Sequence, residues 1–395
     1  MKIGIVGKPS AGKSTLFKAA TMVDVDIANY PFTTIKPNHA VGYVRVKCVE
    51  SFFNVTCNPR EGFCIDGERF VPVELVDVAG LVPGAHEGKG MGNQFLDDLR
   101  QGDALIHVVD ASGSTNEKGE SVQPGTHDPV RDVTFLEEEL DMWFFGILKK
   151  GWLTFAKSAG AKEVHKAVAK QMSGLGVSED LAKDVLLRHP LSERVRDWTD
   201  ADLKGLARVL RKKTKPIIIA ANKMDVVSGK DGFERLKTAF PQYTIIACSG
   251  MAEVALKELD RAEKIKYIPG DAHFEVTGAL DEKQRAITTF IKEHVLNVFG
   301  TTGIQSVLNT TVFDVLNYVY VFPGSASGKL GDKHGNILPD CYLLPPGSTA
   351  LDFAYHVHTD FGKKFIKAID VRKKQTIGKE HELASGDVIE IMSGR

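Results

Sequence analysis

The stretch KIGIVGKPSAGKST (residues 2–15) decides the fold. Its first residues, rich in Ile and Val, read as a buried strand. They run without a gap into G-x-x-x-x-G-K-[ST], satisfied by Gly7, Gly12, Lys13 and Ser14. Gly7 and Gly12 let the backbone curl so that consecutive N–H groups face a phosphate. Lys13 would reach the β- and γ-phosphates and the Ser14 hydroxyl would ligate Mg²⁺, while the following helix adds the positive field of its N-terminus. Lys8, Pro9, Ser10, Ala11, Gly12, Lys13, Ser14 and Thr15 are the candidate phosphate-binding residues. A chance Gly-rich turn would not place strand, loop and helix in this register.

Apolar runs of the same kind recur at VPVELVD (71–77), ALIHVVD (104–110), PIIIAAN (216–222) and YTIIACS (243–249). With helical stretches between them they predict an α/β fold, a P-loop NTPase with a parallel-sheet core and right-handed crossovers. Ligands of such sheets lie beyond the carboxyl ends of the strands. Between Asp110 and Pro216 the pattern turns helical. Val133, Leu136, Leu140, Trp143, Phe144 and Ile147 fall on one helical face of 130–150, and further helices are expected over 161–172, 178–189 and 199–213. Thr199 and Asp202 open the last as a capping box. So long a run exceeds one crossover and predicts an inserted helical subdomain. The expected boundaries are a nucleotide-binding domain over 1–127 and 214–317, a helical insertion over 128–213 and a small C-terminal α+β domain over 318–395. In the last, NYVYVFP, CYLLPPG, FIKAIDV and DVIEIMSG read as strands, with a helix at 348–358 whose core candidates are Leu351 and Phe353.

Four further elements choose among phosphate-loop proteins. NYPFTT (29–34) offers Thr33 and Thr34, and Thr34 joins Ser14 and Asp77 as a candidate Mg²⁺ ligand. DVAG (77–80) places Asp77 to hold the ion through water while the Gly80 N–H meets the γ-phosphate. In NKMD (222–225), Asp225 can accept from guanine N1–H and the 2-amino group together, a pattern adenine does not supply. Asn222 would brace the loop or reach the base edge, and the Lys223 stem would cover the ring. In ACSG (247–250), Ser249 and the Gly250 N–H would meet guanine O6. Together these define a Mg²⁺-dependent domain that binds GTP and GDP.

The residue after D-x-x-G is Leu81, where the best-known GTPases carry a Gln that holds the attacking water. An aliphatic chain cannot do this, so another group must. His86 lies among Gly84, Gly88, Gly90 and Gly92, and a neutral imidazole would accept from water. The alternative is a solvent-facing loop histidine. The catalytic candidates are thus His86, Lys13 and Gly80. No arginine finger stands out, so slow intrinsic turnover accelerated by a partner is expected.

Length and composition are those of a globular protein: 395 residues, 43% hydrophobic, 26% charged, net charge −1. Any argument for nucleic acid must therefore be local. Residues 156–215 hold 14 Lys and Arg against 8 Asp and Glu, and Lys363, Lys364, Lys367, Arg372, Lys373 and Lys374 cluster around Asp370. Either group would suit a phosphate backbone, or be solvated surface. No apolar run is long enough for a bilayer, and a monomer is favoured. The five cysteines show no C-x-x-C pair and read as free thiols of a reducing cytosol; a zinc site from Cys57, Cys64 and a distant His would lack the usual paired spacing. His356 and His358, two apart on a helix, read as structural or surface residues.

GKPSAGKST, YPFTT, DVAGLVPGAHEGKGMGNQFL and NKMD resemble the Obg-like GTPases, specifically the YchF branch. PPGSTALDFAYHVHTDFGKKFIKAIDV is similar to the ubiquitin-like TGS domain of that branch. The resemblance covers almost the whole chain. It implies cytoplasmic nucleotide hydrolysis coupled to a ribosome, rRNA or translation factor, and a hydrophobic residue after D-x-x-G is usual in it. Many members carry Asn at the position of Ser10, a residue tied to potassium-assisted hydrolysis. Relatives that prefer ATP tend to replace the Asp of N-K-x-D with Glu, so Asp225 favours GTP, with ATP the competing substrate. A further alternative is an RNA- or ribosome-binding adaptor whose nucleotide site is structural.

Overall fold

The computed structural model describes residues 1–22, 38–78, 99–158, 163–189, 191–192, 194–325, 330–332 and 334–394. Thr33, Thr34, Gly80, Leu81 and His86 lie outside the described residues. Strands β1 (Lys2–Val6), β2 (His39–Lys47), β3 (Phe63–Ile65), β4 (Glu68–Asp77), β5 (Ala104–Asp110), β6 (Ile217–Asn222) and β7 (Ile245–Ala247) form one sheet. Their order is β2-β4-β1-β5-β6-β7, with β3 on β4. β5 pairs in parallel with β1 and β6, and β6 with β7. Every residue of β5 and β6 is buried, which is why both read as unbroken apolar runs.

The five strands expected from apolar runs are all present. β2 and β3 are additions. β3 and β4 make an antiparallel hairpin through Asp66 (φ 49°) and Gly67 (φ 79°), the pair of positive φ values that an Asp-Gly turn supplies.

Between β5 and β6 the chain forms helices at Pro129–Ser158, Val164–Met172, Glu179–Arg188 and Asp200–Thr214. Leu136, Leu140, Trp143 and Phe144 are buried in one core, with Ile147 packed at its edge, and Val133 is buried in a neighbouring cluster. The expected capping box is present: the Thr199 hydroxyl meets the Asp202 N–H and the Asp202 carboxylate accepts from the Thr199 N–H.

The chain divides into two compact units. One comprises Met1–Phe17, Leu75–Glu253 and Ile287–Gly303; the other comprises Lys18–Glu74, Val254–Ala286 and Ile304–Arg395. The second holds a short ribbon, β8 (Ile265–Lys266) with β9 (Glu275–Val276), and a five-stranded sheet. The sheet consists of β10 (Val319–Pro323), β11 (Tyr342–Leu344), β12 (Phe365–Asp370), β13 (Gln375–Ile377) and β14 (Asp387–Ser393), in the order β11-β10-β14-β12-β13. Helix Ala350–Val357 opens with a Thr349–Asp352 capping box and buries Phe353 completely, while Leu351 is only partly covered. His358 caps the next short helix by accepting from the Asp360 N–H at 3.1 Å, a structural role.

Candidate nucleotide site

The phosphate loop leaves β1 and enters helix Lys13–Thr21. Gly7 (φ 150°) is required sterically, because a Cβ there would lie 2.4 Å from the Val108 carbonyl oxygen. At Gly12 (φ 97°) a Cβ would fall 2.2 Å from Asn222 Nδ2. The motif glycines are therefore set by close approach as well as by dihedral. Ser10 is itself left-handed (φ 59°) and exposed.

Lys13 Nζ donates to the Lys8 carbonyl at 2.9 Å, which holds the ammonium over its own loop. Burial lowers its pKa, with the Asp77 charge pulling the other way. Asp77, the last residue of β4, has its pKa raised by burial, opposed by Lys13 and by a hydrogen bond from Ser14. Ser14 and Asp77, expected from separate motifs, thus meet beside Lys13. A hydroxyl next to a half-buried carboxylate fits Mg²⁺, which takes oxygen ligands and keeps several waters.

The loop is braced from β6. Asn222 Nδ2 donates to the Ala11 carbonyl (3.1 Å) and Asn222 Oδ1 accepts from the Gly250 N–H (3.1 Å). One buried amide thereby links the phosphate loop to the loop after β7. Of the two roles expected for Asn222, the structure gives the brace. It also gives the partners of ACSG. Ser249, 1% exposed, donates its hydroxyl to Asp225 Oδ1 at 2.7 Å and accepts from the Ala252 N–H, and the Gly250 N–H is taken by Asn222. Ser249 thus holds Asp225, and the Gly250 N–H holds Asn222. Thr15 packs near Gly250, whose Cβ would lie 3.4 Å from the threonine methyl.

Lys8 belongs to the same loop. Its side chain is 4% exposed and turned inward, donating to the Thr115 carbonyl (2.7 Å) and pairing with Asp132 (2.9 Å). Asp132 is held in turn by His127 Nε2 at 2.7 Å. Only the backbone of Lys8 remains for a phosphate. Pro9 lies under Gly119, where a Cβ would clash with its ring and carbonyl.

A hub the motifs do not mention is Asp110, at the end of β5 and fully buried. It accepts from the Ser112 N–H and hydroxyl, the Ser114 and Thr115 hydroxyls, and Lys223 Nζ at 2.9 Å. Burial alone would raise its pKa; Ser112, Thr115 and Lys223 hold it below the usual value. With its tip anchored and its backbone left-handed (φ 63°), Lys223 presents a fixed stem. The signal for this hub was the D-A-S-G-S-T string after an apolar strand.

The basic stretches are partly committed inward. In RKKTK, Arg211 is 1% exposed and pairs with Asp141 and Glu137, and Lys215 donates to the Arg100 and Gly102 carbonyls. Burial lowers the Lys215 pKa to about 8. In the tail, Lys373 pairs with Asp370 and Asp387, and Arg372 donates to the Gly386 carbonyl. A separate cavity of about 140 Å³ in the second unit is lined by Tyr43, Phe63, Phe70 and Tyr267 and carries none of the phosphate-binding elements.

A parallel sheet with a phosphate loop, a Ser14–Asp77 pair and a braced Asn-Lys-Met-Asp loop defines a P-loop nucleotide-binding protein of the GTPase class. Family models agree along the chain: "50S ribosome-binding GTPase" over residues 2–131, "Obg-like GTPase YGR210-like, G4 motif-containing domain" over 220–325, and the TGS domain over 330–393. A GTP-binding protein of Methanocaldococcus jannaschii is 47% identical over 99% of this chain and 98% of its own length. Obg-like ATPase 1 of Rattus norvegicus is 30% identical, covering 93% of this chain and 82% of that protein. The crystal structure of a GTP-binding protein from Pyrococcus horikoshii OT3 superposes with a TM-score of 0.79 at 36% identity, covering all of both chains. The chain belongs to the Obg-like, YchF-type GTPase family. Among the described residues, no helix is long and apolar enough to cross a membrane.

Proposed function

We propose that the protein is a Mg²⁺-dependent GTP-binding and GTP-hydrolysing switch that acts on the ribosome or a translation factor. The observation that carries the guanine choice is Asp225, whose Oδ1 is held by the buried Ser249 hydroxyl. That contact aims the carboxylate and uses one lone pair of Oδ1, leaving Oδ2 and the other lone pair of Oδ1 for two donors, as paired recognition of N1–H and the 2-amino group requires. Ser14 and Asp77, joined by Thr34, would hold the metal. When bound, Mg²⁺ would neutralise charge on the β- and γ-phosphates. Lys13 would add its own charge at the same oxygens, and the backbone N–H groups of Lys8 and of Ser10 to Ser14 would cradle them. The Gly80 N–H would meet the γ-phosphate, and His86 would take the water-orienting role that Leu81 cannot fill.

The ribosomal partner is supported by names: the model matching residues 2–131 is described as a 50S ribosome-binding GTPase, and a 27% identical Buchnera aphidicola relative is named a ribosome-binding ATPase. The test is calorimetric titration of the full chain with GTP, GDP, ATP and ADP in Mg²⁺, followed by single-turnover hydrolysis with and without ribosomes. Tighter GTP than ATP binding and ribosome-stimulated turnover are expected. ATP binding more tightly would overturn the guanine assignment. Fast turnover of the isolated protein, unchanged in His86→Ala, would overturn the hydrolytic one.

A further inference from the structure

In the second compact unit, three of the five cysteines converge on a carboxylate. The Sγ atoms of Cys48, Cys57 and Cys64 and an oxygen of Glu50 all lie within 4.8 Å of one another. We propose that these four residues form a structural zinc site, Cys₃Glu, independent of the nucleotide.

The distances suit one tetrahedral ion. Zn–S bonds of about 2.3 Å at a tetrahedral angle put two sulfurs about 3.8 Å apart, and a sulfur and a carboxylate oxygen about 3.6 Å apart. Cys48 Sγ to Cys57 Sγ is 3.7 Å and Cys64 Sγ to Glu50 Oε1 is 3.9 Å. A disulfide would require sulfurs about 2.05 Å apart, and all five cysteines are free. Cysteines also gather in cores as small apolar groups. That account explains Cys48 and Cys57, which pack with Val49, Phe322, Leu330, Leu338 and Val388, but does not place a carboxylate oxygen among the sulfurs.

The ligands are held by their own backbone. The Cys57 N–H donates to Glu50 Oε2 at 2.9 Å, which turns Oε1 toward the sulfurs. The Cys48 N–H donates to the Gly67 carbonyl at 2.9 Å, tying the end of β2 to the Asp66-Gly67 turn. Charge fits as well. Three thiolates, a carboxylate and Zn²⁺ sum to −2, and the fully buried Arg69 guanidinium acts on Cys48. Two of its nitrogens donate to the Leu338 and Pro339 carbonyls, and Nε has no hydrogen-bond partner among the described residues. Binding displaces three thiol protons to solvent without electron transfer, so affinity rises with pH. Thiolate donors select zinc over Mg²⁺ or Ca²⁺. The pattern C-x-E-x₆-C-x₆-C has none of the paired spacing by which zinc sites are usually read, which is why the sequence hid it.

The test is metal analysis of the full chain purified under reducing conditions without chelator, with Co²⁺ alone added to the stripped protein. Expected are one zinc per chain, a thiolate-to-cobalt charge-transfer band with intense tetrahedral d–d bands, and a lowered melting temperature after stripping. Cys57→Ser and Cys64→Ser should lose the zinc, Glu50→Gln should weaken it at least tenfold, and Cys341→Ser should keep it. If the cysteine variants do not fold, the cobalt spectrum of the wild-type chain still decides. Wild-type protein that retains no zinc and gives no thiolate–cobalt band, or a Cys48–Cys57 disulfide found by mass in the reduced preparation, overturns the proposal.

Discussion

Asn222 carries more structure than its motif suggests. Replacing it with Ala removes the partner of both the Ala11 carbonyl and the Gly250 N–H, two buried groups, at about 1–3 kcal/mol each. GTP affinity in Asn222→Ala is therefore expected to fall at least tenfold by calorimetry, together with the denaturation midpoint. Ser249→Ala should act differently. Asp225 loses its fixed orientation, so the ratio of GTP to ATP affinity narrows more than overall binding weakens; an unchanged ratio would refute the positioning role. Lys8→Met leaves Asp132 buried opposite an apolar chain. Breaking such a pair costs about 3–5 kcal/mol, so chemical denaturation should show a large stability loss.

At the scale of elements, legibility followed locality. The Thr199 capping box needs only residues three apart, and it was readable. Thr199→Ala should cost about 1 kcal/mol in a urea titration, with Thr199→Ser close to neutral. Apolar runs buried on both faces were equally plain. β2, β3 and β13 were not, because short or alternating strands draw their stability from neighbours elsewhere in the chain rather than from their own composition. The basic clusters failed for a related reason. Counting charges over 156–215 cannot show that Arg211 is buried against Asp141 and Glu137, acids supplied by another helix.

At the scale of the molecule, stability should depend on pH through a group no motif marks. His107, in the middle of β5, is 1% exposed, and burial followed by the Lys13 and Lys8 charges lowers its pKa to about 3. Unfolded, it titrates near 6.5, so below that pH the unfolded chain binds a proton the folded chain refuses. Stability is full above pH 6.5 and is lost as the pH falls toward 3, by about 3 kcal/mol at pH 4. His107→Leu should flatten this part of the pH profile of the denaturation midpoint, and an equal slope would exclude His107 as the cause. Nucleotide should oppose the loss: GTP with Mg²⁺ at a hundred times its dissociation constant is expected to add about 2.7 kcal/mol.

By itself the sequence determined that this chain folds as a phosphate-loop α/β protein with a helical insertion and a C-terminal α+β domain. Those features rest on short-range patterns: strand periodicity, a Gly-rich turn and caps. Only the tertiary structure decided what each polar group does. It turned Lys8 inward to Asp132, gave Ser249 and Gly250 to bracing, made Asp110 a hub and drew Cys48, Glu50, Cys57 and Cys64 together. A polar side chain's role is set by which partner reaches it once burial has removed water, and that partner is chosen by packing rather than by spacing along the chain.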